Sequence, residues 1–257
     1  MTRLKQWALI FFGLVFSCIL FVPAEALASK ITELYVTQGN TGEEMPGEAS
    51  PANHVMPLGA VTWWHTARED KYYLFLPAGM DARDLLLWFS ADEALCFEGA
   101  ELTSGQSAGF LLPGNQVILT CGRKEYHVQV MQSKNLSALF IVTESGDMDY
   151  IHEKKGNEEA GTLQMLLPDG SVSYDGALEH IKGRGNSSFA YQKKSYQLKL
   201  DKSTDLIDAG KAKTWILLSD HRDHSLLRSR IGFALARAVG LDYTSRGESV
   251  DVYLNHT

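Results

Sequence analysis

From Val61 onward, short apolar or alternating runs recur at close intervals along the 257-residue chain. They read Val61-Thr62-Trp63-Trp64, Tyr72-Tyr73-Leu74-Phe75-Leu76, Leu85-Leu86-Leu87-Trp88-Phe89, Gln116-Val117-Ile118-Leu119-Thr120 and Tyr126-His127-Val128-Gln129-Val130. Runs of four or five residues are too short for helices, and Pro77-Ala78-Gly79, Ser104-Gly105 and Pro113-Gly114-Asn115 punctuate them with turn chemistry. The spacing predicts a small β-sandwich over residues 61–134. Trp63, Trp64, Trp88 and Phe89 have two readings there, a sugar-stacking platform or the filling of the sandwich core.

The chain before this unit carries an address. Arg3 and Lys5 precede an apolar run from Trp7 to Val22, and Ala26-Leu27-Ala28 forms a small-residue processing site, so residues 1–28 read as a bacterial-type secretory signal peptide. An uncleaved anchor is the rival reading of an apolar run this long. Residues 29–60 read as one strand, Ile31 to Val36, followed by a linker rich in Gly, Pro, Glu and Ser. Loss of the leader removes two basic residues and one acidic residue, taking the net charge from −7 to −8. Such an acidic chain excludes general nucleic-acid binding. Cys96 and Cys121 remain, and in a secreted protein their pairing stays open. No Cys/His spacing suggests a metal, and eight scattered histidines make no site.

A second unit is predicted over residues 135–257. Ala138-Leu139-Phe140-Ile141-Val142 is a strong strand, Thr162 to Leu167 another, and Asp169-Gly170 marks a hairpin turn before Val172. Ala177 to Lys182, Ser195 to Leu200 and Thr214 to Leu218 add strands, expected to join one antiparallel sheet, and Ser249 to Leu254 alternates as a final strand. The polar stretch Ser145 to Gly161 reads either as an excursion over a site or as a solvated loop. Leu227, Ile231, Ala234, Leu235 and Ala238 follow a helical stripe, with Asp223 placed to cap its start and Gly240 to end it. His221-Arg222-Asp223 spells the H-R-D of ordinary protein kinases, but His224 follows and Arg228 stands where that motif has Asn, so the capping role explains Asp223 better. Arg228 itself either supports a site or pairs with Glu179 or Asp223.

Within this unit, Ile181 to Leu200 concentrates chemistry. Gly183-Arg184-Gly185-Asn186-Ser187-Ser188 puts two glycines, an asparagine and two hydroxyls around a guanidinium, and Lys193-Lys194 leads into the alternating strand that carries Lys199. Backbone amides, hydroxyls and cations so close together suit an anion or phosphate cradle. The bland reading is a glycine turn followed by a solvated strand face, since neither G-x-G-x-x-G nor the P-loop pattern is present.

The order of these pieces resembles the spore coat protein H (CotH) kinase family of bacterial atypical protein kinases. The residues that carry the resemblance are Ile141 to Gly146, Lys182 to Phe189, Lys193 to Leu200, Trp215 to Leu218, Asp223 with Leu227-Arg228, and Val250 to Asn255. The resemblance runs from about Asn135 to the last residue. It implies an α+β, mostly β fold: a small β-sandwich of immunoglobulin or cadherin type, then the antiparallel-sheet-plus-helix amino-terminal lobe of an atypical kinase, its helix packed on the sheet and its carboxy-terminal lobe missing. It further implies ATP and Mg²⁺ as cofactors, with Arg184, Asn186, Ser187, Ser188, Lys194 and Lys199 at the nucleotide phosphates and either lysine as the principal contact. No catalytic residue is expected in this stretch, because the metal-binding acids belong to the other lobe. The implied activity is phosphorylation of Ser or Thr in envelope or spore-coat proteins by a secreted or cell-surface kinase. The alternative is a non-catalytic spore-coat or cell-surface scaffold that binds envelope polysaccharide.

Overall fold

The computed structural model describes residues 30–39, 56–66 and 70–257. The predicted leader and its processing site, and most of the predicted linker, lie outside the described residues. What is described is mostly β with few helical residues, arranged as three sheets.

Two sheets face each other across one core. The first has the order β2-β1-β5-β8, from β1 (Ile31–Gln38), β2 (Val61–Thr62), β5 (Leu85–Ala91) and β8 (Gln106–Ser107). The second contains β3 (Trp64–Thr66), β4 (Lys71–Leu76), β6 (Leu95–Phe97), β7 (Ala100–Glu101), β9 (Gln116–Cys121) and β10 (Lys124–Gln132), ordered β3-β4-β10-β9-β6-β7. Alternation sets their inner faces: Tyr72, Leu74 and Leu76 of β4 and Tyr126, Val128 and Val130 of β10 point inward with Val36, Leu85 and Leu87. Trp63 and Phe89 pack against this core, Trp63 with ring centres 4.4 Å from Tyr72 and 5.4 Å from Tyr126. Trp88 stacks on Tyr35, and its indole N–H donates to Thr37 Oγ1 at 3.0 Å. Trp64 alone of the four is exposed.

The open question of the cysteines closes here, for both are free. Leu95 lies opposite Cys121 and Cys96 opposite Thr120. Directly opposed residues share a face, so Cys121 points into the core with Leu95 while Cys96 points out, and no disulfide can join them without a register slip.

The third sheet is built from β11 (Ser137–Thr143), β12 (Glu158–Leu166), β13 (Val172–Arg184), β14 (Ser195–Thr204), β15 (Ala212–Leu217) and β16 (Val250–Leu254), in the order β15-β14-β13-β12-β11-β16. The expectation of a purely antiparallel sheet is corrected. β16 runs parallel to β11, whereas the other pairs are antiparallel. β11 to β15 each return beside their predecessor, but β16 arrives at the far edge after a long crossover, so no tight turn fixes its direction. The Asp169-Gly170 turn forms as read, with Gly170 at φ 86° and its N–H donating to Leu167 O.

One face of this sheet carries its own core of Leu139, Ile141, Leu163, Ile181, Leu198 and Leu200. A one-turn helix, α1 (Asp149–Glu153), drops the fully buried Ile151 into it, so the polar stretch after β11 is anchored rather than merely solvated. The opposite face meets the sandwich. Ala138, Phe140 and Tyr253 belong to the sandwich core; Phe140 and Tyr253 stack at 4.8 Å, and Tyr253 donates its hydroxyl to Phe75 O at 3.0 Å.

α2 (Arg228–Ala238) departs from the expected packed helix, since none of its residues is buried. It starts at Arg228 because Leu226 has a left-handed φ of 54° that interrupts the turn. The Asp223 carboxylate still serves its first amide, accepting from Arg228 N at 2.8 Å. At the other end Gly240, at φ 75°, donates to Arg237 O and Leu241 N donates to Ala236 O, the paired bonds of a Schellman terminus. No helix among the described residues is long and apolar enough to cross a membrane.

The chain end also ties the units together. His256 is buried, its Nδ1 donates to Ala60 O at 3.3 Å, and its own carbonyl accepts from Thr62 N at 2.9 Å. Burial lowers the His256 pKa, with the Ala60 hydrogen bond opposing more weakly. The folded state therefore favours the neutral ring, and its contribution is complete above the ordinary value of about 6.5 and lost as pH falls toward the depressed folded value. The urea midpoint is expected to fall below about pH 6.5, and His256→Gln, which keeps a donor for Ala60, should flatten that fall. An identical acid limb in the variant would refute the assignment.

Candidate functional site

The basic loop is organised by two close approaches. A Cβ on Gly183 would collide with the Phe189 ring, so glycine at the end of β13 is what lets Phe189 lie over the strand. Gly185 turns the chain at φ 103°, and a Cβ there would meet Ser188 Oγ. Residues Ser187–Ala190 then form a single 3-10 turn, closed by Tyr191 N donating to Ser188 O at 3.2 Å. Lys194 reaches back across it. Its Nζ donates to Phe189 O at 2.6 Å and Tyr191 O at 3.3 Å and sits 4.8 Å from the Phe189 ring centre.

Other segments brace this loop. Lys155 Nζ donates to Asn186 Oδ1 at 2.7 Å. His221 stacks on Tyr191 at 5.0 Å, and the Arg222 guanidinium stands 4.7 Å from the same ring. Ser219 N donates to the buried Ser195 Oγ at 3.1 Å. On the core side of β14, Tyr196 and His152 Nε2 share a hydrogen bond of 2.7 Å. Burial pushes the Tyr196 hydroxyl up to about 12, while burial first and the Lys194 charge second lower His152. A neutral imidazole and an un-ionised phenol thus meet beside one ammonium.

A cavity of about 1150 Å³ opens between this face of the third sheet and the side of α2. Trp215 and Leu217 line it on the sheet side, over the buried Tyr196 and Leu198, together with Phe233 of α2, and Arg184, Lys193 and Lys194 line it along with the carboxylates Asp220 and Glu248. Apolar lining with a few charged side chains is the general form of a small-molecule site.

The six residues singled out in the sequence do not converge. Arg184, Asn186, Ser187, Ser188 and Lys194 share the loop, with Asn186 and Ser187 exposed and Ser188 half-buried. Lys199 is apart from them. Strand residues alternate, so Lys199 lies on the opposite face from Tyr196 and Leu198, where it pairs with Glu179, which also takes Lys213 at 3.5 Å. Its neighbours on that face, Lys182 and Glu158, are paired at 3.0 Å. Arg228, for which two readings stood open, pairs with Asp223 at 3.5 Å. The Asp223 carboxyl is held at about 2 by the Arg228 amide and then the Ser225 hydroxyl, as a capping group would be. Lys155, His152, Tyr191 and Arg222 were missed because the partners that place them lie 30 to 44 residues away in sequence, beyond any local motif.

Among the described residues, no group of three or more His, Cys, Asp or Glu side chains comes together as a metal site.

The Gly183 contact yields a stability test. Gly183→Ala forces the Phe189 ring off the strand and is expected to cost about 1–3 kcal/mol, the range for overpacking. Phe189→Leu, placed in the same chain, should restore part of that loss in urea unfolding; additive losses would deny the contact.

No curated protein matches the chain. Among solved structures, a DUF4623 family protein from Bacteroides eggerthii is similar at a TM-score of 0.24 and 7% identity, over 74% of this chain and 50% of its own length. The chain thus spans about half of that structure, and a likeness so slight carries no argument. A family model does match, starting inside β13 and taking in the basic loop, β14, β15, α2 and β16. Residues 181–257 match the family described as CotH kinase protein.

Proposed function

We propose that residues 135–257 form the amino-terminal lobe of a CotH-type protein kinase, secreted or held at the cell surface, that transfers phosphate from ATP to Ser or Thr of envelope or spore-coat proteins. The observation that carries this reading is the basic loop that lines the cavity, inside the segment that matches the family. Secretion rests on Arg3, Lys5, the apolar run and Ala26-Leu27-Ala28.

In this reading the purine lies against Trp215 and Leu217, and the triphosphate runs toward Arg184, Lys193 and Lys194. Lys194 is the better of the two candidate lysines, because it stands at the cavity while Lys199 points off the other face. Its two bonds to neutral carbonyls are exchangeable for a stronger charge-assisted bond to a phosphate oxygen. Transfer breaks the bond between the γ-phosphorus and the bridging oxygen, forms one to the acceptor oxygen, and releases ADP and the hydroxyl proton. Positioning and charge stabilisation supply most of that catalysis. The residues described here bind and orient; the acids that place a metal ion and take the proton belong to a second lobe. The apolar stripe of α2, with Ile231 60% and Leu235 62% exposed, offers that lobe a surface to cover.

Calorimetric titration of the mature chain with MgATP tests the binding half. Lys194→Ala is expected to weaken binding by about tenfold or more, the scale of one lost charge-assisted contact, and Lys199→Ala to leave it unchanged. Equal behaviour of the two variants would overturn the assignment. The enzymatic half fails if the full-length natural protein moves no labelled phosphate from ATP to any envelope or coat protein.

A further inference from the structure

The outer face of the second sheet carries an aromatic row that the fold does not use. On β3 and β4, Trp64 lies directly opposite Tyr73, with Phe75 two residues further along the same face as Tyr73. Ring centres are 6.1 Å apart for Trp64 and Tyr73 and 5.8 Å apart for Tyr73 and Phe75. Trp64 is 53% exposed and Phe75 42%. The solvent side of a sandwich sheet ordinarily takes polar side chains, and the inner faces of these strands already supply the core through Tyr72 and Leu74. Exposed rings in adjacent strands are therefore unnecessary for folding and cost solvation.

Across the sheet, Tyr73 has an amide beside it and Phe75 has Met131. Gln129 of β10 lies opposite Tyr73, and Gln116 of β9 lies opposite Gln129, so the row Trp64-Tyr73-Gln129-Gln116 is uncharged from end to end. Aromatic area of this kind, at about 150–250 Å² per side chain and half exposed, totals on the order of 300 Å². That is well short of the roughly 800 Å² per partner of a stable protein interface. It suits a narrow, neutral ligand that presents C–H bonds to ring faces and hydroxyls to amides.

We infer that this face is a glycan-binding platform for an uncharged polysaccharide chain, with Trp64, Tyr73 and Phe75 as the stacking surface and Gln116 and the Gln129 Oε1 as the hydrogen-bonding flank, the Gln129 Nε2 being held by Asn115 O at 3.0 Å. The long-range field agrees, since a chain of net charge −7 does not draw in acidic polymers. This platform goes beyond the kinase-lobe reading and rests on none of its residues.

Titration of the mature chain with cellohexaose and with chitohexaose, followed by intrinsic tryptophan fluorescence and calorimetry, tests it. Saturable binding of at least one hexasaccharide is expected. Trp64→Ala and Tyr73→Ala should each weaken it by about tenfold or more, while Trp64→Phe retains most of it and Ile118→Ala, on the same face outside the row, leaves it unchanged. Circular dichroism and thermal unfolding of the alanine variants should match the parent, because Trp64 is outside the core. Lys194→Ala should bind sugar normally, which separates this outcome from that of the nucleotide test. Failure to bind either hexasaccharide, or binding that survives both alanine variants, would overturn the proposal. So would a dimer that Trp64→Ala converts to monomer in sedimentation, for the row would then be a contact between copies.

Discussion

Phe140 and Tyr253 stack on each other inside a core that belongs to the sandwich, and the arrangement of the third sheet depends on that intrusion. They come from β11 and β16, neighbouring strands at one edge, so β11 is covered on both faces. Tyr253 carries its hydroxyl into this environment and satisfies it on Phe75 O, and burial accordingly pushes its pKa up. At the same seam, a Cβ on Gly79 would collide with Leu167 O, so the hairpin after β12 sits directly on the sandwich backbone. The two units are thus joined by shared core and close backbone approach, not by a linker alone.

The same intrusion explains how the strands read in sequence. A strand buried on both faces loses its alternation, and β11 is a continuous apolar run from Ala138 to Val142 with Leu139 and Ile141 on one side and Ala138 and Phe140 on the other. β14 faces a core on one side only, and Tyr196, Leu198 and Leu200 alternate with Gln197 and Lys199. Patterning therefore located nearly every long strand. It missed the short β6–β7 hairpin, whose turn at Glu98-Gly99 takes left-handed φ at both residues, because three- and two-residue strands carry no period. It also missed α1, where a single Ile151 makes the anchor.

Register decides what patterning leaves open. Cys96 and Cys121 lie on neighbouring strands, which sequence spacing permits, but one residue of offset puts their side chains on opposite faces. Lys194 and Lys199 part for a related reason. Lys194 lies in the loop just before β14 and reaches back to Phe189 O, while Lys199 lies within β14 on the face away from Leu198, so a basic cluster that looks continuous in sequence divides into a lysine beside the cavity and a lysine in a ladder of ion pairs with Glu179. The direction of β16 is a further case, since alternation names its faces without saying which way it runs.

α2 shows where sequence and burial separate most. Its stripe, its capping aspartate and its terminal glycine were all legible, because each is a local feature. What the stripe covers is a tertiary matter, and among the described residues it covers little, with Leu227, Ile231, Leu235 and Val239 all exposed. An eleven-residue helix is marginal on propensity alone. Polar clamps hold it instead: Ser229 donates to Asp220 Oδ1 at 2.7 Å, Arg230 pairs with Glu248 at 2.7 Å, and Arg237 donates to Ser245 O at 3.1 Å. These fix the helix beside the cavity and leave its apolar stripe turned outward. Exposed pairs of this kind contribute about 1 kcal/mol or less each, so they set orientation more than stability. A helix oriented by such polar contacts keeps an apolar stripe that no described residue buries.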